Sequence, residues 1–267
     1  MHYYKIIFSF FLILFSTNVF SQSTTVNTSI CDGDSIYLQG AWQKSSGTFT
    51  DITSTGTIIT NLTINPSPII TPNFIFNGTA IAQPGNVFQL TQALNNQAGS
   101  VWNNVMIDLN QPFTLDVDLF LGCSSGGADG IAFVLQPIST SLGSSGGGIG
   151  YQGISPSFAI EFDTWLNNLY SDPWYNHVSI QKNGNLNHTG PTSLTVPNGF
   201  PPTGFSSIED CKWHNAIFNW DPSTTNFTLD FDGIQILNYN GDIISNIFNG
   251  NSNVFWGFTG STGSASN

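Results

Sequence analysis

Short runs of four to nine residues, rich in Val, Ile, Phe, Thr and Trp, succeed one another along most of this chain. Each run is closed by Gly, Asn, Ser or Asp. β-branched and aromatic residues suit a pleated, half-buried surface, while the closing residues suit turns, so the pattern commits the chain to many strands in a sandwich or barrel. Strands are expected at Val87–Thr91, Val101–Ile107, Phe113–Leu121, Ile131–Leu135 and Phe158–Thr164, then at Val178–Gln181, His214–Trp220, Phe227–Phe231, Ile234–Tyr239 and Val254–Phe258. Asp232-Gly233 between two of these runs is a hairpin signal. No convincing amphipathic helix interrupts the series. The fold class is all-β.

The N-terminus has a different character. Lys5 precedes an apolar run, Ile6 to Phe15, broken only by Ser9, and Val19-Phe20-Ser21 comes next. That layout is a signal peptide over 1–21, cut near Ser21–Gln22, and the run is too short to span ~30 Å of hydrocarbon. No later segment could span, so the product is expected to be exported, to the medium or the outer cell surface, and not to be an integral membrane protein. About 246 residues (267 less 21) then remain, enough for one large β domain and a small module.

Residues 22–66 carry short strand-like pieces at Ser35–Gln39, Gly47–Ile52 and Thr57–Asn65. Pro66, Pro68 and Pro72 stiffen the adjoining linker, 67–73, and the main domain runs over 74–267. The formal charge is −12, all four basic residues are Lys, and only 7% of residues are charged. Phosphate binding needs Lys and Arg, so nucleic acid is a poor partner. Of three cysteines, Cys123 and Cys211 share the main domain, and export would permit them to pair. Cys31 is left over.

One stretch carries chemistry. Ala159-Ile160-Glu161-Phe162-Asp163-Thr164-Trp165-Leu166-Asn167 is succeeded by Ser171-Asp172-Pro173 and Asn176-His177-Val178. On a strand, Glu161 and Asp163 share one face while Ile160 and Phe162 enter the core. Asp172-Pro173 turns the chain back and brings a third carboxylate and an imidazole. Oxygen ligands suit Ca²⁺, and an added imidazole suits Mn²⁺ or Zn²⁺.

The spacing Glu-x-Asp-x-Trp-x-Asn-x₄-Asp-x₄-His resembles the double metal site of legume-type (L-type) lectins. The resemblance implies a concanavalin-like jelly-roll β-sandwich of two antiparallel sheets, preceded here by a small β module. It implies that Glu161, Asp163, Asp172 and His177 hold Mn²⁺ or another transition ion. Asp163, Asp172, Asn167 and the Trp165 main chain would hold Ca²⁺. Ala128-Asp129-Gly130 is similar to the family's strand entry, where a cis bond precedes an Asp that accepts from sugar hydroxyls. Gly146-Gly147-Gly148-Ile149-Gly150 would offer a backbone N–H, that of Gly148, and Trp256 to Ala265 looks like the last specificity loop, with Ser264 and Ala265 at the sugar. Trp165 would present its face to a pyranose.

The resemblance thus implies a lectin or adhesin for glycans or polysaccharides, not an enzyme, and homo-oligomers are compatible with it. Two other readings compete. Jelly-roll β-glucanases read Glu-x-Asp-x-Glu on their catalytic strand, but Trp165 stands where the third acid would be, leaving no second carboxyl ~5 Å across the scissile bond. A structural adhesin module without sugar affinity is the other. The segment Ser29 to Ile36, with Gly47-Thr48-Phe49-Thr50-Asp51, resembles small repeats of bacterial surface proteins. Their second cysteine is replaced here by the stretch Ser54-Thr55-Gly56-Thr57. Family members add a strand beyond the last loop, whereas this chain stops four residues after Gly263. A longer parent protein is therefore expected.

Overall fold

A computed structural model describes residues 22–31, 35–54, 56–65, 74–143, 146–201, 204 and 206–265. The expected signal peptide and the Pro-rich linker lie outside the described residues. Two compact units divide at Thr71/Pro72.

The first unit holds β1 (Gln22–Cys31), β2 (Ile36–Leu38), β3 (Ala41–Gln43), β4 (Gly47–Thr53) and β5 (Gly56–Asn65). Its main sheet runs β1-β5-β4, with β1 parallel to β5 and β4 antiparallel to it. The sequence pattern predicts no strand over Gln22–Cys31. Its Thr, Ser and Asn residues give no apolar alternation, yet the backbone ladder to β5 extends over ten residues regardless of side chain.

The second unit begins with β6 (Phe74–Gly78), β7 (Ile81–Gln83), β8 (Val87–Gln89), β9 (Ala98–Asn103) and β10 (Ile107–Asp108). Next come β11 (Phe113–Phe120), β12 (Gly130–Gln136), β13 (Phe158–Asp163), β14 (His177–Lys182) and β15 (Asn198–Gly199). It ends with β16 (Trp213–Asp221), β17 (Asn226–Phe231), β18 (Ile234–Asn240), the short α1 (Ile243–Asn246) and β19 (Asn253–Ser261). One sheet has the order β15-β14-β13-β12-β19-β9-β6, with β10 also on β19; the other has β11-β16-β17-β18. All pairings in both are antiparallel. This is the jelly-roll sandwich that the strand pattern and the motif imply. Among the described residues no helix is long and apolar enough to cross a membrane.

The expected strand Val101–Ile107 is two pieces. Asn103 ends β9 because its side-chain oxygen accepts the Val105 amide, 2.9 Å, an Asx turn that competes with the ladder. Ile107 resumes pairing, now with Val254.

The core forms where the two sheets face each other. Phe133, Phe158, Ile160 and Phe162 of one sheet meet Phe218, Phe227, Leu229 and Phe231 of the other, all fully buried or nearly so. Phe133 and Phe218 lie 4.6 Å apart between ring centroids, Phe158 and Phe227 5.0 Å, Phe162 and Phe231 6.0 Å. Each such ring contributes roughly 1.5–3 kcal/mol by leaving water. β12 and β13 are buried on their second face too, where Ala132, Val134 and Ala159 pack under Ile149, Tyr151, Ile154 and Leu186. Every residue of β13 is therefore buried, the two acids included.

Asp232-Gly233 turns with φ of +49° and +78°, as its hairpin requires. Cys123 and Cys211 are bonded, with Cα atoms 4.3 Å apart, just beyond the Phe120–Trp213 rung that ends the β11–β16 ladder. The bridge spans 88 positions of sequence. Replacing both cysteines by serine is expected to lower unfolding stability by about 2–4 kcal/mol, through a freer unfolded chain. Denaturant titration checks this, and a loss below about 0.5 kcal/mol would contradict it.

Candidate functional site

Antiparallel register assembles the ligand cluster. Asp163 is the cross-strand partner of both Gly130 and His177, and Glu161 is opposite Ser179. Side chains at 161, 163, 177 and 179 thus rise from the same face, away from the Phe core. Glu161 is wholly buried; Tyr151 donates its hydroxyl to Oε2 at 2.6 Å, and Ser179 donates to Oε1 at 2.5 Å. Asp163 is almost as buried and accepts the Trp165 amide at 2.8 Å.

The loop after β13 is pinned by its own polar groups. Asp172 Oδ2 accepts the Asn167 amide at 2.6 Å, and Asn176 donates to the Thr164 carbonyl at 3.1 Å. A 3-10 turn, Asn168–Tyr170, and Ser171 in the left-handed region (φ +65°) bring Asp172 back over the sheet. Oxygen and nitrogen atoms of Asp163, Asp172 and His177 lie within 4.8 Å of one another, as do those of Glu161, His177 and His188. The acids are not solvated surface groups.

Charge makes the case for a cation. Burial pushes the Asp163 carboxyl well above its ordinary range, and the neighbouring Glu161 and Asp172 push it further. Burial likewise raises Glu161, partly offset by His188 and by the Ser179 and Tyr151 hydrogen bonds. Burial lowers His177 to about 4, with His188 adding to the effect, so its imidazole is neutral near pH 7. His177 Nδ1 faces the Tyr175 carbonyl at 3.3 Å, which turns Nε2 into the cluster, 2.9 Å from His188 Nε2. Clustered acids whose charges repel, beside a neutral imidazole, are the donor set a hard or borderline divalent ion takes.

The residues expected at the sugar loops close a ring beside this cluster. The Ala128–Asp129 bond is cis, the Thr164 amide donates to the Asp129 carbonyl at 3.1 Å, and the Asp129 amide donates to the Ser261 carbonyl at 2.8 Å. Ser261 Oγ reaches the Gly146 carbonyl at 2.6 Å, tying the last loop to the glycine loop. Gly130, at φ +145°, brings β12 against the Phe162 carbonyl, a space a Cβ would fill.

Two polar atoms inside the ring have no hydrogen-bond partner, Asp129 Oδ2 and Asn167 Nδ2, and both are buried. Burial raises Asp129 to about 6. A Cβ built on Gly263 would sit 3.2 Å from Asp129 Oδ2, and one on Gly147 3.0 Å from Asn167 Oδ1. Glycine at these points lets the two loops lie close against Asp129 and Asn167. Gly148, the expected donor, lies beside the Gln152 side chain, and its carbonyl accepts the Tyr151 amide at 3.1 Å. Ser264 is exposed and held by Asn95, which donates to its carbonyl at 2.9 Å; Ala265 is half-buried. Trp165 is 39% exposed.

His188 is the residue that sequence reasoning missed. Its side chain is 3% exposed and reaches Asp172 Oδ1 at 3.2 Å and Glu161 Oε1 at 3.4 Å. The signal was Asn183-Gly184, a turn pair with φ of +61° and +65° that sends the chain back beside β14.

A model of the legume lectin beta-barrel domain matches residues 67–267. The chain is similar to the pesticidal crystal protein Cry22Aa of Bacillus thuringiensis, 34% identical over 151 residues, covering 55% of this chain and 20% of that protein. It is similar to Lectin-4 of Griffonia simplicifolia, 41% identical over 64 residues, 21% of this chain and 26% of the relative. In both cases it spans well under half of the curated relative's length. Peanut lectin shares the fold at a TM-score of 0.61 and 20% identity, covering 84% of this chain and 92% of that one. With the domain match extending over about three quarters of its length, the chain belongs to the legume-type (L-type) lectin domain family.

Proposed function

We propose that this chain is an exported glycan-binding protein whose sugar hollow is organised by two bound ions. Glu161, Asp163, Asp172 and His177 would hold a transition ion; Asp163, Asp172, the Asn167 carbonyl oxygen and the Trp165 main chain would hold Ca²⁺. The ions supply charge compensation and hold the 164–176 loop in place. The chain's own groups do the recognition: Asp129 accepts from sugar hydroxyls, Asn167 donates its amide, the glycine loop gives close access, and Ser264 and Ala265 shape one wall. Trp165 offers an apolar face to a pyranose.

One observation carries the reading above the others. Buried Asp129 Oδ2 and Asn167 Nδ2, an acceptor and a donor, lack partners, and each side chain lies against a glycine, Gly263 and Gly147. Unsatisfied buried polar groups cost ~1–3 kcal/mol each, and a polyol bound between them would satisfy both. The exported state and a role in adhesion are part of the proposal, supported by the Lys5 and Ile6–Phe15 leader pattern.

A glycan array, run with and without chelator and beside a reducing-sugar assay, tests it. Binding that chelation removes, without hydrolysis, is the expected result. Hydrolysis abolished by Glu161→Gln would favour the glucanase reading. Absence of any binding, with ions bound, would favour a structural module.

A further inference from the structure

The motif that marks the family's ion site has one histidine. This chain brings a second. His188 Nε2 lies 2.9 Å from His177 Nε2, 3.2 Å from Asp172 Oδ1 and 3.4 Å from Glu161 Oε1. One ring N–H has one proton and one direction, so it cannot serve three partners at once. The distances have another meaning. Donors bound to a single ion at about 2.1 Å stand about 3.0 Å apart at right angles and about 3.4 Å apart at tetrahedral angles. All three separations fall near this range.

The surroundings orient the ring for that task. His188 Nδ1 meets the Gln181 amide at 2.7 Å, inside a wholly buried side chain. Turned end for end, that amide presents its oxygen, which otherwise has no hydrogen-bond partner, to an Nδ1–H. His188 Nε2 is then left bare toward the acids, as the Tyr175 carbonyl leaves His177 Nε2. Ligating histidines are held by such acceptors behind them.

Building on the ion site proposed above, we infer that His188 is a direct ligand of the transition ion, making a two-imidazole site that selects Zn²⁺ or another later first-row ion over Mn²⁺. Imidazole nitrogen favours Zn²⁺, Cu²⁺ and Ni²⁺, whereas carboxylate and water suit Mn²⁺; a second ring in place of an oxygen donor shifts the balance.

The test uses the whole chain with Zn²⁺, Mn²⁺, Cu²⁺ and Ca²⁺ as probes. Competition calorimetry should show Zn²⁺ displacing Mn²⁺, and pulsed EPR of the Cu²⁺ form should count two coupled imidazoles. His188→Ala and His188→Gln should each leave one imidazole. Their Zn²⁺ affinity should fall by more than the roughly 10- to 100-fold typical of a residue acting behind a ligand. His188→Gln keeps a polar side chain beside Gln181, and circular dichroism confirms folding. One imidazole in the wild type, or an unchanged count in both variants, overturns the inference while leaving the ion site in place. A wild type that binds neither Ca²⁺ nor any transition ion overturns the site itself, and His188's role with it.

Discussion

Asp163→Ala is expected to abolish binding of both ions and with it the thermal stabilisation that ions confer. Asp163 is the one carboxylate assigned to both positions that also sits at the end of β13, fixed against Gly130 and His177. Ligand binding at 100 times its dissociation constant stabilises by ~2.7 kcal/mol. For a domain of this size that corresponds to about 5–10 °C in Tm. Melting curves of the variant with ions and with chelator should therefore coincide, while those of the wild type separate by that amount. Elemental analysis of the variant should find no bound metal. A variant that still gains several degrees on adding Ca²⁺ would remove Asp163 from its bridging role.

The same gain should depend on pH with a definite sign. In the ion-free protein, the Asp163 and Glu161 carboxyls are raised, chiefly by burial, above their unfolded values. The folded state then holds protons that the unfolded state releases, so stability present below the usual carboxylate range is lost as pH rises toward the raised values. An ion reverses this, because it requires the deprotonated ligands. The difference in Tm with and without ions should widen as pH rises from the usual carboxylate range toward the raised values. A gap that narrows as pH rises would contradict the assignment.

Asp129→Ala and Asn167→Ala are expected to eliminate measurable sugar binding, by different routes. Losing a charged acceptor from a desolvated site costs ~1.5–3 kcal/mol, ten-fold or more in affinity, and weak sites cannot absorb that. Asp129→Ala should keep its ions. Asn167→Ala should lose Ca²⁺ as well, since its carbonyl oxygen is assigned to the ion and its amide to the sugar. Calorimetry with a glycan identified on the array, at two Ca²⁺ concentrations, distinguishes them. Unchanged affinity in Asp129→Ala would place the sugar elsewhere.

Some of this is legible in the sequence and some is not, for physical reasons. β16 and β17 alternate between buried and partly exposed residues, and their period of two is visible by eye. β13 has no such contrast, because Tyr151 and Ile149 roof its second face; Glu161 and Asp163 stand out by chemistry and spacing instead. The candidate ligands from Glu161 to His177 can be read as a string because one strand, one loop and the next strand carry them. His188 cannot, since only the fold returns it to Glu161. Gly147 is indistinguishable from Gly148 in the sequence for a similar reason: which glycine lies against Asn167 depends on where the fold places Asn167.

The rung pairing Asp163 with His177 has one further consequence. Along β13 and β14, Phe162 and Val178 point into the aromatic core, while Glu161, Asp163, His177 and Ser179 point the other way. A slip of one residue would exchange the two sets, driving carboxylates among phenylalanines and phenylalanines among carboxylates. Wrong pairings thus lack any place for a cation. An ion bound at the proposed site would recognise only the correctly threaded sheet, and would so act as a proofreader of β-strand alignment as well as a support for the finished loops.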